Sequence, residues 1–181
     1  MRIIAGEWRG RPIEAPPGRD TRPTSDRARE GLFSMLASRI GSFEGLQVAD
    51  LFAGTGALGL EALSRGAAHC TFVEKDRGAL DILRRNIERL GACDRAEVMA
   101  QAVEHAAPPR RACDLVLMDP PYRSGFAQPA LDRAADWLAP GGWLSVELSG
   151  ETLRPPAGLE REAERRYGKA ILHILRRTAL P

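Results

Sequence analysis

Four consecutive residues, Asp119, Pro120, Pro121 and Tyr122, carry the side chains expected of a reactive site. They follow a largely apolar run at 114–118, which is typical of a buried parallel strand, and ligands bind at the carboxyl ends of such strands. The prolines lack a backbone N–H, the carboxylate accepts hydrogen bonds, and the tyrosine ring offers a face for stacking. Acceptors beside a stacking face suit a conjugated exocyclic amine, as on a nucleobase. A proline-rich turn that happens to follow an acid is the simpler alternative for these four residues alone.

A second segment, residues 48–63, has the pattern of a strand, a glycine turn and a helix. In it, Gly54, Gly56 and Gly59 fit the G-x-G-x-x-G fingerprint in the context that the fingerprint requires. The first two glycines allow a tight turn and close approach of a ligand, and the third allows close helix–strand packing. The next apolar strand ends in Glu74, which can accept hydrogen bonds from both hydroxyls of a ribose. The alternative is an ordinary βαβ turn with a solvent-facing glutamate.

Two cofactors are compatible with a glycine loop followed by an acid. A nicotinamide dehydrogenase would use the loop for a pyrophosphate and would need a residue that handles the hydride. The three histidines and two lysines stand in no persuasive catalytic context (His69, His105, His173, Lys75, Lys169). S-adenosylmethionine has a ribose and an adenine but no phosphate, and it suits Asp50 near its ammonium group and Glu74 on its ribose. The residues therefore favour S-adenosylmethionine.

The order of these motifs along the chain resembles that of a known class of enzymes. An Asp-x-Phe-x-Gly-x-Gly loop starting at Asp50, an acidic strand end and Asp-Pro-Pro-Tyr resemble the amino-methylating class of S-adenosylmethionine-dependent methyltransferases. Residues 2–11, 22–30 and 52–67 are similar to the bacterial 16S ribosomal RNA guanine-N2 methyltransferase family, the RsmD type. This similarity covers essentially the whole chain. It implies methyl transfer to the N2 amine of a guanine in 16S ribosomal RNA, with the RNA bound within a small-subunit assembly particle.

The resemblance also implies roles for individual residues. Asp119 and the carbonyl of Pro120 would accept the amine hydrogens, and Tyr122 would stack on the base; the expected catalytic set is Asp119, Pro120, Pro121 and Tyr122. The expected cofactor-binding set is Asp50, Phe52, Gly54, Gly56, Glu74, Lys75, Gln101 and Asp119. Gln101 departs from the family pattern, since members usually carry an acid after the third strand. The alternatives are a DNA adenine-N6 or cytosine-N4 amino methyltransferase and a catalytically inactive RNA-binding module.

The first residues of the chain are rich in arginine. Residues 2–29 contain seven arginines and four acidic residues, although the formal net charge of the whole chain is only +2. Arginine binds phosphate in a bidentate manner and stacks on bases. We therefore expect residues 1–23 to form an RNA-facing hairpin and linker, ahead of a methyltransferase domain at 24–181. The expected RNA-binding residues are Arg2, Trp8, Arg9, Arg11, Arg22 and Arg27. Packing of Trp8 onto the core is the alternative for that side chain.

The remaining pattern predicts a Rossmann-like α/β fold. After the hairpin, apolar spacing predicts a helix capped by Thr24 or Ser25, and strands and helices then alternate. Alternation of this kind predicts a mostly parallel, doubly wound sheet, here of seven strands with one reversed strand supplied by a closing hairpin. The predicted strands are 48–52, 70–74, 97–100, 115–119, 143–148, 159–167 and 170–177, and the predicted later helices are 57–65, 77–90 and 129–138.

Composition agrees with a single enzyme domain. The chain has 181 residues, enough for one core, and it contains neither a run long enough to span a membrane nor an opening secretory signal. Its three cysteines, Cys70, Cys93 and Cys113, are scattered, so we expect neither disulfides nor a metal site. These features predict a cytoplasmic protein, and we expect a monomer.

Overall fold

In the computed structural model, one seven-stranded sheet organises the chain, with the strand order β3-β2-β1-β4-β5-β7-β6. The structure describes residues 1–17, 23–122, 125–150 and 152–178, and the side chains only from 26 onward in the first helix. The strands from β1 to β5 pair in parallel, whereas β7 is antiparallel to both β5 and β6. The predicted Rossmann-like sheet with one reversed strand is therefore confirmed.

Strands and helices alternate along the chain as the pattern predicts. The strands are β1 Gln47–Leu51, β2 His69–Glu74, β3 Ala96–Ala100, β4 Cys113–Met118, β5 Leu138–Ser149, β6 Leu159–Tyr167 and β7 Ala170–Arg177. The helices are α1 Pro23–Ile40, α2 Ala57–Ser64, α3 Arg77–Leu90 and α4 Ala127–Ala135, with short 3-10 turns at Cys93–Arg95 and Val103–His105. The predicted caps of α1, Thr24 and Ser25, have side chains outside the described part of the chain.

Strand β5 begins five residues before the predicted start at Trp143. Residues 139–142 lie between a predicted helix and a predicted strand, but they belong to β5, whose register against β4 shifts between Cys113 and Leu115. Gly141 has φ 75, and a Cβ built on Gly142 would lie 2.9 Å from the oxygen of Ala139. Gly141 and Gly142 therefore permit a bulge within β5 ahead of the predicted start of the strand.

Apolar side chains cover both faces of the sheet. On one face, Phe33 of α1, Leu63 of α2 and Leu83 of α3 are completely buried in one cluster. On the other face, Leu131 of α4 packs in a second cluster with Val116 of β4. Because both faces are covered, the central strands are apolar throughout, and ligands can reach the sheet only at its edges. In the described residues, no helix is long and apolar enough to cross a membrane.

The N-terminal arm, residues 1–17, folds back on itself as the hairpin pattern predicts. Arg2 and Pro12 form an antiparallel bridge, and the Ile3 amide donates to the Arg11 carbonyl at 3.0 Å. Ile3 and Ile13 are buried in the same apolar cluster as Leu63 of α2. The arm therefore shares the core of the methyltransferase domain, which gives it a structural role besides any contact with RNA.

Glu61 of α2 holds this arm in place. Its carboxylate is completely buried and accepts hydrogen bonds from the amides of Ile4 at 2.9 Å and Ala5 at 3.0 Å. The guanidinium of Arg65 lies 2.9 Å from the same carboxylate, and that of Arg29 lies 3.8 Å from it. A buried carboxylate needs such partners, and these come from three separate segments of the chain.

Candidate active site

The register of the parallel strands aligns four residues at the carboxyl edge of the sheet. Leu51 of β1 is paired with Val73 of β2 and with Met118 of β4, and Met118 is paired with Val146 of β5. The residues that follow these positions are Glu74, Phe52, Asp119 and Glu147, in that order across the sheet. Neighbouring strands lie about 4.8 Å apart, so the backbones at Glu74 and Asp119 are separated by roughly 10 Å. Both predicted motifs therefore meet at one edge, separated by the width of a small ligand.

Glu74 is joined to the glycine loop by its own carboxylate. One oxygen, Oε2, accepts a hydrogen bond from the Gly54 amide at 2.8 Å. The other, Oε1, accepts from the amides of Lys75 and Asp76, each at 2.8 Å. Three backbone donors fix this carboxylate at the end of β2. A ribose beside the loop would therefore meet an acceptor that is already oriented.

The glycines of the loop differ in their surroundings. A Cβ built on Gly54, which has φ 57, meets no atom within 4 Å, so its backbone borders open space. A Cβ on Gly59 would lie 2.4 Å from the Phe72 ring and 2.7 Å from the sulfur of Cys70, which makes Gly59 the close-packing position between α2 and β2. Gly56, with φ 84, precedes the first residue of α2. This open cradle, with Glu74 beside it, fits a nucleoside cofactor that brings no phosphate.

Phe52 has a left-handed backbone conformation, with φ 61, where other residues of the described chain that have positive φ are glycines. It stands between β1 and the glycine loop, and the amide of the following Ala53 donates to the Val73 carbonyl at 3.0 Å. Such a conformation costs on the order of 1–3 kcal/mol and is typical of ligand-binding loops. The strain turns the chain out of the sheet at the predicted cofactor site.

Asp50, expected near the ammonium group of the cofactor, is buried. Its side chain is only 1% exposed, and Oδ2 accepts a hydrogen bond from the Gly59 amide at 2.8 Å. Burial raises the pKa of this carboxyl well above its ordinary value, and the nearby charges of Asp119 and Glu74 raise it further, against the opposing Gly59 hydrogen bond. The expected contact of Asp50 with the methionine ammonium is therefore corrected, because the buried carboxylate instead binds the Gly59 amide in the first turn of α2.

The Asp-Pro-Pro-Tyr segment reaches solvent at the end of β4. Asp119, Pro121 and Tyr122 are exposed, whereas Pro120 is buried. The Tyr122 ring is 62% exposed, and its hydroxyl donates to Oε1 of Glu147 at 2.7 Å. Glu147 lies on the neighbouring strand β5, two residues before its end at Ser149, and the sequence pattern gave it no role. An exposed ring held at its hydroxyl end is suited to stacking against a planar group.

Phe126 is a second aromatic that the sequence reasoning missed. It is 46% exposed, and with Tyr122 it is one of two large apolar side chains that are exposed in the described residues. The ammonium of Lys75 lies 5.7 Å from the centre of its ring. Because Lys75 follows Glu74 and Phe126 precedes α4, this cation–π contact joins the end of β2 to the start of α4. Gln101 is half-buried one residue beyond β3, and its backbone N–H donates to the Met99 carbonyl at 3.0 Å.

The predicted RNA-binding residues have different surroundings. Arg2, Arg9, Arg11 and Arg27 are exposed, and Arg22 lies outside the described residues. Trp8 is only 4% exposed, its amide donates to Ser64 Oγ at 3.0 Å, and the Arg95 guanidinium lies 4.9 Å from the ring centre. The expectation that Trp8 stacks on a base is therefore wrong for this conformation, because the ring is used in packing. Within the described ranges, no three His, Cys, Asp or Glu side chains form a group that could hold a metal ion.

A doubly wound sheet with one reversed strand, a glycine loop tied to an acid, and a proline-rich acceptor segment at the same edge define an S-adenosylmethionine-dependent methyltransferase. Magnesium protoporphyrin IX methyltransferase from Synechocystis, solved with bound S-adenosylmethionine, shares this fold with a TM-score of 0.71 at 14% identity, over 91% of this chain and 86% of its own. That neighbour shows the fold, and the methyltransferase relatives given below support S-adenosylmethionine as the cofactor in place of the nicotinamide alternative.

The chain belongs to the family described as "Conserved hypothetical protein 95", which matches residues 1–176, and the resemblance to the RsmD type is confirmed. It is 38% identical over 183 aligned residues to Ribosomal RNA small subunit methyltransferase D of Escherichia coli strain K12, covering 99% of this chain and 91% of the relative. The solved structure of the Escherichia coli protein yhhF superimposes with a TM-score of 0.87 at 37% identity, over 99% of each chain.

Proposed function

We propose that this methyltransferase transfers a methyl group to the exocyclic N2 amine of a guanine in small-subunit (16S) ribosomal RNA. The observation that carries the proposal is the row at the sheet edge, in which Asp119 lies two strands from Glu74, with the exposed ring of Tyr122 three residues further along the chain. The name of the Escherichia coli relative, a small-subunit ribosomal RNA methyltransferase, supports this class of substrate.

The proposed chemistry depends on orientation. The lone pair of a guanine N2 amine is delocalised into the ring, so the amine is a weak nucleophile. Asp119 and the Pro120 carbonyl accept its two hydrogens, which directs the lone pair away from the ring plane, and the Tyr122 ring stacks on the base. S-adenosylmethionine supplies the methyl group on an activated sulfonium, so most of the rate enhancement comes from holding the reacting atoms about 3–3.5 Å apart. Once methylated, the positively charged amine loses its proton to Asp119 or to water.

The base must leave its stack to reach Asp119, which costs a few kcal/mol and costs least in a loop. Arg2, Arg9, Arg11 and Arg27 are exposed and form the RNA-contacting set of the proposal, with Arg22 expected to join them. Trp8 is left out because it is buried. We further propose that the enzyme acts as a monomer in the cytoplasm, on RNA within a small-subunit assembly particle, where folding has already shaped the substrate.

The experiment is methyl transfer from radiolabelled S-adenosylmethionine to three substrates: naked small-subunit RNA, small-subunit assembly particles and duplex DNA. Nucleoside analysis should find N2-methylguanosine in RNA and no label in DNA. Label on adenine N6 or cytosine N4 would refute the guanine assignment and support the DNA alternative, and RNA binding without any label would support an inactive module.

The matched variants are Asp119→Ala and Glu97→Ala, the second removing an exposed acid on the edge strand β3. Asp119→Ala should abolish transfer and leave cofactor affinity nearly unchanged, because its carboxylate faces the acceptor amine. A variant that kept more than about a tenth of the wild-type rate, a loss below ~1.4 kcal/mol, would remove Asp119 from this role.

A further inference from the structure

Glu147 lies in the site, but the proposed reaction gives it no role. It follows Val146, which is paired with Met118, so it is level with Asp119 on the neighbouring strand. Residues at matched positions of adjacent strands point to the same side of the sheet, and their backbones lie about 5 Å apart. In the row at the sheet edge, Glu147 lies on the side of Asp119 away from Glu74. The Glu147 carboxylate is therefore remote from the glycine loop and next to Asp119.

The hydrogen bond from Tyr122 fixes this acid in a defined orientation. The Tyr122 hydroxyl donates to Oε1 of Glu147 at 2.7 Å. The other oxygen, Oε2, takes part in no hydrogen bond within the part of the chain that the structure describes. Glu147 is half-buried, so the carboxylate lies at the mouth of the site and remains reachable. One oxygen is thus held by the ring proposed to stack on the base, and the second is left for a donor on that base.

Guanine presents a matching pattern of donors. Its N1–H lies directly beside its N2 amine, so a base whose amine is bound by Asp119 turns a second donor toward a neighbouring acceptor. Adenine and cytosine instead carry an unprotonated ring nitrogen beside their amine, and a carboxylate would repel that lone pair. We propose that Glu147 is a specificity-determining residue that accepts the guanine N1–H, and this inference rests on the proposed function.

Tyr122 then has two roles. Its ring stacks on the base, and its hydroxyl orients the Glu147 carboxylate that accepts the hydrogen bond from the base. The competing explanation is that Glu147 only anchors Tyr122 and never contacts the substrate. The two explanations differ in what they predict for a base that retains the N2 amine but lacks the N1–H. In 2,6-diaminopurine the N2 amine is present and N1 is an acceptor.

The experiment uses two small-subunit RNAs assembled by splinted ligation, with guanine or 2,6-diaminopurine at the position mapped as methylated. Wild-type enzyme should prefer guanine by about 100-fold in kcat/KM, since a site built for a donor rejects an analogue that lacks it. Glu147→Gln should lower the rate on guanine by about 10- to 100-fold and reduce the preference to less than about 10-fold, because an amide can also donate to N1. Tyr122→Phe should keep most of the preference, because the carboxylate remains.

Glu160→Gln, an exposed acid on β6, is the matched control and should leave both rates unchanged. Calorimetry with S-adenosylmethionine checks that each variant is folded. Equal losses on both RNAs in Glu147→Gln, with the preference intact, would overturn the proposal in favour of an anchoring role. Equal wild-type rates on the two RNAs would overturn it without any variant. Absence of guanine methylation by the wild type would instead refute the proposed function.

Discussion

The tie between Glu74 and the glycine loop predicts a large loss of cofactor affinity when the carboxylate is removed. Its oxygens accept from three amides at 2.8 Å, those of Gly54, Lys75 and Asp76. A carboxylate offers about four acceptor sites, so roughly one remains for a ribose hydroxyl. A hydrogen bond to a charged group contributes about 1.5–3 kcal/mol, which corresponds to a dissociation constant about 10- to 150-fold higher in Glu74→Ala.

The isosteric variant tests the same geometry. Glu74→Gln keeps the shape of the side chain, but its amide nitrogen must face either the Gly54 amide or the pair from Lys75 and Asp76, which are all donors. We therefore expect Glu74→Gln to weaken binding by at least about 10-fold as well, since the amide N–H group of the new side chain meets a backbone donor where the carboxylate accepted. Wild-type affinity in Glu74→Gln would show that neither the charge nor the acceptor pattern of this side chain matters for cofactor binding.

Titration calorimetry with S-adenosylmethionine and with its demethylated product measures both variants. Glu97→Gln, an exposed acid on β3, is the control and should bind as the wild type does. Circular dichroism establishes that each variant remains folded. Binding by Glu74→Ala within about threefold of the wild type, less than ~0.7 kcal/mol, would refute the argument that this carboxylate holds the ribose.

Three further predictions concern buried charged or titratable groups. Glu61→Ala should lower the free energy of unfolding by about 3–5 kcal/mol in urea titrations, because Arg29, Arg65 and two arm amides lose their buried partner; a loss below ~1 kcal/mol would contradict this. Asp50→Ala should cost about 1–3 kcal/mol in thermal unfolding by leaving the Gly59 amide unpaired, whereas Asp50→Asn retains an acceptor and should cost less; equal losses would refute the explanation. Burial lowers the pKa of His173, against the opposing charge of Glu164, so the unfolded chain takes up its proton first as the pH falls through about 6.5. Stability should therefore fall from pH 7.5 to 5.5 more steeply in the wild type than in His173→Leu, and equal slopes in urea titrations would contradict it.

The buried glutamate also changes what removal of the N-terminal arm should do. An arm at 1–23 that only faced RNA, ahead of a separate domain at 24–181, would leave on its removal a folded remainder that loses only its affinity for RNA. In the structure, residues 1–17 supply Ile3, Trp8 and Ile13 to the core and satisfy the Glu61 carboxylate. A test of RNA contact therefore needs point substitutions of Arg9 or Arg27, which are exposed, in place of a truncation.

Local patterns in the sequence determined the bounds of helices and strands where a capping residue or a turn glycine stands at their ends. Helix α3 has the predicted bounds, Arg77–Leu90, because Asp76 accepts a hydrogen bond from the Ala79 amide and Gly91 ends the helix with φ 69. Strands β6 and β7 also have the predicted bounds, with Gly168 at φ 59 in the turn between them. Each of these signals acts within a few residues, so the sequence alone contains it.

The partners of individual side chains were decided only by the tertiary structure. Trp8 looked like an RNA contact because it stands among arginines, yet it packs beneath Arg95 and binds Ser64, 56 residues along the chain. Glu147 showed no motif, and its place beside Asp119 follows from the register of β4 and β5. A periodic pattern shows which face of an element is apolar, but it does not show what covers that face or which strand ends come level, because both depend on how distant segments pack.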